Sequence, residues 1–231
     1  VRVSGAAKGA AMIAPNMATM LSVIMTDAPL NAAQTDQMLR HAVNRSFNCV
    51  SVEGHTSTSD TVILLSNGAA ESAALSEQEL ALLQTAIDEV AMQLGQAIIR
   101  DAEGADHFIT IEVAGANQRS EAHEIARTIA NDALVKTAIA GADPNWGRIV
   151  SAAGRTSVKL TEQDIVLHIN GTLIYENGLP VDFDEKIVSD SIRQNRDVSI
   201  QIQLPFGAEA VVFWTSDLTQ EYVRLNSEYT T

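Results

Sequence analysis

Between Ser76 and Arg100 the apolar residues Leu80, Leu83, Ile87, Val90, Leu94 and Ile98 recur at intervals of three and four. A strand alternates faces every second residue, so this spacing specifies a long helix with one apolar stripe. Ser76 and Glu79 form a capping box that opens it. A one-striped helix has to lie on another layer. Strand signals supply that layer. Thr61 to Ser66 reads as a buried strand, Phe108 to Ala114 alternates with Ile109, Ile111 and Val113 on one face, and DVSIQIQL at 197–204 alternates cleanly. Residues 165–175 read as a hairpin with Asn170-Gly171 as a type I′ turn. Further helices are expected from a cap at Asn31 with Gln34 to about Ser46, from Ser120 through Ile125, Ile129 and Leu134, and after Asp184. The fold class is α+β. Residues 1–107 form one domain, and 108–214 form a smaller unit of strand, helix, hairpin, helix, hairpin. A polar tail, 215–231, follows, and its composition alone favours fraying.

Charge and cysteine usage narrow the function. Lys plus Arg is 15 against 29 Asp plus Glu, a formal charge of -14, which repels nucleic acid and anionic bilayers and suits small-molecule chemistry. An anionic substrate then needs a local cation, for which Lys8 is a candidate. Cys49 is the only cysteine, so no intrachain disulfide forms, and a reducing, cytoplasmic setting is expected. No apolar run reaches transmembrane length and no signal peptide opens the chain. The five histidines do not stand at metal-ligand spacing, and no GxGxxG, P-loop or HExxH pattern occurs, so neither a metal nor a cofactor is expected.

The stretch KGAAMIAPNMATML, residues 8–21, has neither helical nor strand period. It ends on Ala18-Thr19 before an apolar run. The Thr19 hydroxyl can attack the carbonyl of Ala18. An N–O acyl shift and hydrolysis then free Thr19 as a new N-terminus, whose α-amine, with an ordinary pKa of about 8, serves as base for its own hydroxyl. The plainer alternative is a loop feeding a buried strand over residues 19–26.

KGAAMIAPNMATML closely resembles the processing-site segment of the ornithine acetyltransferases, or glutamate N-acetyltransferases, of arginine biosynthesis. Ala11 stands where the family usually has glycine. Other words follow in the family's order: the strand-loop-strand at 46–68 (with Glu53, His55 and Ser59 departing from the commoner residues), Asp101-Ala102-Glu103-Gly104, and VKTAIAGADPNWGRIVSAAGR at 135–155 with DPNWGR intact. Read as residues alone, Glu103 is a solvated acid at a helix C-terminus, a mildly unfavourable place for it. Trp146 and Arg148 read either as a packing anchor with a carboxylate-paired arginine or as ligand contacts.

The resemblance spans Lys8 to Thr231. It implies layers of sheet and helix similar to N-terminal-nucleophile hydrolases but of distinct topology, cleavage between Ala18 and Thr19, and Thr19 as the acetyl-carrying nucleophile. It implies that Lys8 binds the substrate α-carboxylate, that Glu103 holds an amino group or assists proton transfer, and that the tail returns Asn226 and Thr231 to the site. The implied reaction moves acetyl from N-acetylornithine to glutamate, with acetyl-coenzyme A as a possible further donor. The implied partner is an upstream α chain cut from the same precursor, missing before Val1, in an α2β2 heterotetramer. A self-processing amide hydrolase or aminopeptidase and a non-catalytic amino-acid-binding subunit remain as alternatives.

Overall fold

A computed structural model describes residues 1–9, 20–55, 59–70 and 74–228. The chain divides into two units, Val1–Asp101 and Ala102–Thr231.

In the first unit, β1 (Val3–Lys8) runs antiparallel to β2 (Leu21–Thr26), with Val3 opposite Thr26 and Lys8 opposite Leu21. α1 (Ala32–Arg45) opens on the box read from the sequence: Asn31 Oδ1 accepts the Gln34 N–H at 2.9 Å, and Gln34 Oε1 accepts the Asn31 N–H at 3.1 Å. The short β3 (Val50–Ser51) precedes β4 (Thr61–Ser66), which pairs in parallel with β2 in the order β1-β2-β4. β3 and β4 therefore do not pair with each other as a hairpin, because β4 lies beside β2. α2 (Glu77–Arg100) starts where Ser76 Oγ and the Glu79 carboxylate satisfy each other's backbone N–H groups. Its buried stripe includes Leu83, Ile87 and Ile98, and also Ala91, Gly95 and Ile99. Small residues let other groups come close. On the facing strand, a Cβ at Gly5 would stand 2.9 Å from Leu94 Cδ1 and 3.1 Å from Val90 Cγ1.

The helices cover one face of this sheet, where Ile24 and Leu64 are buried beside Ser22 and Thr26. The opposite face is apolar yet open: Leu21, Met25, Ile63 and Leu65 are 43% to 52% exposed. The two strands expected to be buried are thus buried on one face only.

The second unit begins with β5 (Phe108–Ala116), then α3 (Arg119–Ala130), α4 (Ala133–Ala140) and α5 (Trp146–Ala153). β6 (Val166–Ile169), β7 (Thr172–Glu176) and β8 (Leu179–Pro180) follow, then α6 (Glu185–Gln194), β9 (Asp197–Gln203), β10 (Glu209–Ser216) and α7 (Gln220–Glu228). The strands lie in the order β10-β5-β9-β6-β7-β8, with only β5 and β9 parallel. α3 packs across β5 and β10, and Ile111, Ile125, Ile129 and Phe213 are wholly buried between them. Asn170 and Gly171 have φ of 47° and 80°, as a type I′ turn requires.

Four expectations change here. β9 and β10 do not form a hairpin, because β5 lies between them. The chain bends round the end of β5, where Phe206 and Gly207 both donate to the Gly115 carbonyl, at 2.9 and 2.8 Å. Helix formation does not run on to Leu134. α3 stops at Ala130, and Asp132 caps a new helix by accepting from Leu134 and Val135 N–H. Gln118, not Ser120, is the N-cap of α3, its N–H held by Glu121 Oε2 at 3.0 Å. The tail is helical through Glu228, with Thr219 Oγ1 accepting the Tyr222 N–H at 3.1 Å and Arg224 bridging Glu221 and Glu228 at helical spacing.

The start of this unit is pinned to the start of that tail. Asp217 Oδ1 accepts from the N–H groups of Asp106 and His107, at 3.0 and 3.1 Å. Its Oδ2 takes His107 Nδ1 at 2.7 Å, while His107 Nε2 faces the Ile192 carbonyl at 3.2 Å. A carboxylate and a carbonyl both accept, so the ring holds a proton on each nitrogen. The Asp217 hydrogen bond raises the His107 pKa, against the opposing effect of burial.

Two outcomes are expected. Gly115 has φ +82°, and a Cβ there would fall 1.9 Å from the Leu204 carbonyl oxygen, whereas one at Gly171 meets nothing within 4 Å. Gly115→Ala should cost about 3 kcal/mol or more in denaturant unfolding, and Gly171→Ala only about 1 kcal/mol. His107 has a folded pKa above its reference value of 6.5, so its contribution is complete below that pH and fades as pH rises through the folded value. The stability gap between the wild type and His107→Gln, read by urea unfolding, should therefore be widest below pH 6.5 and narrow as pH rises above it.

Candidate active site

Lys8 closes β1 and is exposed, and the strand register sets it opposite Leu21. The residue before Leu21 is held on both sides. The Met20 N–H donates to Asp60 Oδ1 at 2.5 Å, and the Met20 carbonyl accepts from the Thr61 N–H at 2.9 Å. Asp60 stands directly before β4, so the parallel pairing of β4 with β2 delivers its carboxyl to this point. Its second oxygen, Oδ2, is sealed from solvent and has no hydrogen-bond partner among the described residues. Burial raises the Asp60 carboxyl pKa, and the Met20 N–H pulls it the other way. Ala18 and Thr19 lie outside the described residues, but Thr19 is covalently next to Met20. A cavity of about 470 Å³ opens beside the end of β1, lined by Lys8, Gly9, Leu94, Ile98 and Asp101 among others.

In the second unit, Glu103 is exposed on a turn that ends at Gly104, whose φ is +68°. The Thr219 hydroxyl donates to the Gly104 carbonyl, and a Cβ at Gly104 would stand 2.5 Å from Tyr222 N. Only a glycine admits the first turn of α7 this closely. Asn226, one helical turn beyond Tyr222, donates from Nδ2 to the Tyr222 carbonyl at 2.9 Å and is exposed. The turn bearing Glu103 and the helix bearing Asn226 are thus brought together. Thr231 lies outside the described residues.

The DPNWGR word has a structural account. Asn145 Oδ1 caps α5 through the Arg148 N–H at 3.2 Å, and Trp146 stacks on Tyr175 with ring centroids 5.1 Å apart. Among the described residues Arg148 pairs with no carboxylate. Its Nη1 donates to the Leu134 carbonyl and to Thr137 Oγ1, at 2.8 and 3.3 Å. Trp146 and Tyr175 border a cleft of about 730 Å³ that contains none of the expected site residues.

Among the described residues no group of three or more His, Cys, Asp and Glu side chains is placed to hold a metal, and no helix is long and apolar enough to cross a membrane. From the sequence, the loop ending at Asp60 reads as structural and near the active site, and Asp60 is not singled out. The available signal was an acidic residue immediately before a β-branched run. Asp217 and His107 gave no such signal, because 110 residues separate them.

The ArgJ family model matches residues 1–231. The chain is 46% identical over 233 residues to the arginine biosynthesis bifunctional protein ArgJ of Rhodopirellula baltica and 42% identical over 233 residues to that of Oceanobacillus iheyensis. Each alignment covers 100% of this chain and 57% of the relative, so the chain spans rather more than half the length of these proteins. The crystal structure of ArgJ from Bacillus halodurans superposes with a TM-score of 0.88 at 35% identity, covering 91% of this chain and 100% of that one. With its whole length matched and its fold shared, the chain belongs to the ArgJ family.

Proposed function

We infer that this chain is the nucleophile-bearing part of an acetyltransferase that moves acetyl from N-acetylornithine to glutamate, after self-cleavage between Ala18 and Thr19. Family membership carries the reading. The strand register supports it, because it sets Lys8 beside the segment that immediately follows Thr19.

The proposed reaction is ping-pong. The Thr19 α-amine takes the proton of its own hydroxyl as the oxygen attacks the acetamide carbonyl. Ornithine leaves with a proton, and an acetyl ester remains on Thr19. Glutamate enters the same site and its amine takes the acetyl group. Lys8 binds the α-carboxylate that both substrates share, a charge-assisted contact. Glu103 and Asn226 hold the polar groups of the substrate, and Thr231 is assigned with them. The tetrahedral intermediates need an oxyanion hole, where losing one donor costs about 10²–10³ in rate. We assign those donors to the part of the longer relatives that this chain does not cover, and the working assembly to two copies of each cleaved chain in the cytoplasm. The relatives' description as bifunctional fits a second acetyl donor, for which acetyl-coenzyme A is our candidate.

In a full-length precursor, Thr19→Ala should leave a single uncut chain by intact mass and lower acetyl transfer by about 10⁴-fold or more. Transfer that survives in the uncut variant would sink the mechanism, and release of free acetate instead of N-acetylglutamate would favour a hydrolase. Lys8→Ala should raise KM for both amino-acid substrates in parallel, by roughly 10–100-fold. A rise for only one would remove Lys8 from the shared carboxylate.

A further inference from the structure

Asp60 holds one carboxylate oxygen on the Met20 N–H and keeps the other buried, with nothing to accept from among the described residues. A sealed carboxylate oxygen without a donor is unfavourable, and such atoms in a folded chain call for an explanation. Thr61 N–H closes on the Met20 carbonyl, and the β2–β4 register continues residue by residue from Leu21 and Thr61. Oδ1 is therefore fixed at the peptide nitrogen directly after Thr19.

Covalent geometry limits what can reach Oδ2. The nitrogen of Thr19 is separated from that of Met20 by three bonds, which keeps the two within about 4 Å. In the uncut chain that nitrogen is a peptide N–H. After cleavage at Ala18–Thr19 it becomes an amine with several N–H donors. A carboxylate gripping one N–H with one oxygen is suited to take a neighbouring N–H with the other.

Resting on the reading of Thr19 as the nucleophile, we propose that Asp60 is a positioning residue whose Oδ2 accepts a hydrogen bond from the freed Thr19 α-amine. The carboxylate turns the amine's lone pair toward the Thr19 hydroxyl. When the hydroxyl proton passes to the amine and the oxygen bonds to the acetyl carbon, Asp60 stabilises the ammonium that forms. No proton moves to Asp60. The aspartate of a Ser-His-Asp triad acts on its imidazole in the same way. Lys8, the candidate cation of this unit's site, is exposed opposite Leu21. Burial and the Met20 N–H are the influences that set the Asp60 carboxyl itself.

The test uses the mature, cleaved enzyme made from the full-length precursor. Asp60→Asn retains an acceptor for the Met20 N–H but replaces Oδ2 with a donor. Its kcat should fall about 10–100-fold with KM for N-acetylornithine little changed, and the acidic limb of its pH profile should move to lower pH because the amine has lost its carboxylate. In the wild type, the pKa of the Thr19 α-amine, followed by NMR of a threonine-labelled enzyme, should lie above the ordinary α-amino value of about 8. A cleaved Asp60→Asn enzyme with wild-type kcat and an unmoved acidic limb overturns the proposal. An ordinary or lowered amine pKa in the wild type also overturns it, and this measurement holds even if the variant fails to fold or cut. A wild-type precursor that neither cuts nor transfers acetyl defeats the underlying reading instead.

Discussion

The first unit depends on one register, that of β2 between its two neighbours. β1 and β4 both read β2 without a slip, from Leu21 to Thr26. Side chains alternate along a strand, so a shift of one residue would exchange the two faces. Leu21 and Met25 would enter the helix side, and Ser22 and Thr26 would leave it. The same shift would carry the Met20 N–H away from Asp60 and Lys8 away from Leu21. Fold and candidate site are therefore fixed by a single alignment, and the two helices enforce it by covering only one face. Gly5 contributes by omission, since its bare backbone lets β1 rest against Val90 and Leu94.

The second unit depends on contacts that are distant in sequence. Asp217 ties its carboxylate to residues 106 and 107, and Thr219 ties its hydroxyl to Gly104. These bonds orient the turn carrying Glu103 against the helix carrying Asn226. Each of those two exposed polar residues is held in place through the buried Asp217 and the half-buried Thr219.

Local grammar was legible in the sequence. The boxes at Asn31 and Ser76, the cap at Asp184, the turn at Asn170-Gly171 and the alternation of β5 and β9 were each written in a few adjacent residues, and each is formed. What could not be read was which strand neighbours which. The alternation of β9 and β10 is compatible with a hairpin, and only the bonds to Gly115 put β5 between them. Arg148 misled for a related reason: a guanidinium near acidic residues suggests an ion pair, but folding sets its Nη1 on the Leu134 carbonyl and the Thr137 hydroxyl of α4 instead. The Ala18-Thr19 pair suggested a self-cleaving nucleophile from local chemistry, but only the resemblance supplied Glu103 and Asn226, which local patterning does not distinguish from ordinary surface residues. Asp60 was hidden because its hold on the Met20 N–H exists only once β4 is laid beside β2.

The antiparallel pairing of β1 with β2 has one more implication. Cleavage between Ala18 and Thr19 would cut the only covalent link between these two strands. β1 would become a strand lent by a separate polypeptide, kept in place by its ladder, by the Arg2 N–H on Asp27 Oδ1 at 2.7 Å, and by the close seat of Gly5. A short tether presents a strand to its partner at an effective concentration of order millimolar, and cutting removes that advantage. The chain must therefore fold before it is cut. Once the mature protein is denatured, its pieces would have to find each other by diffusion, so its persistence would be governed by the rate of unfolding, not by an equilibrium.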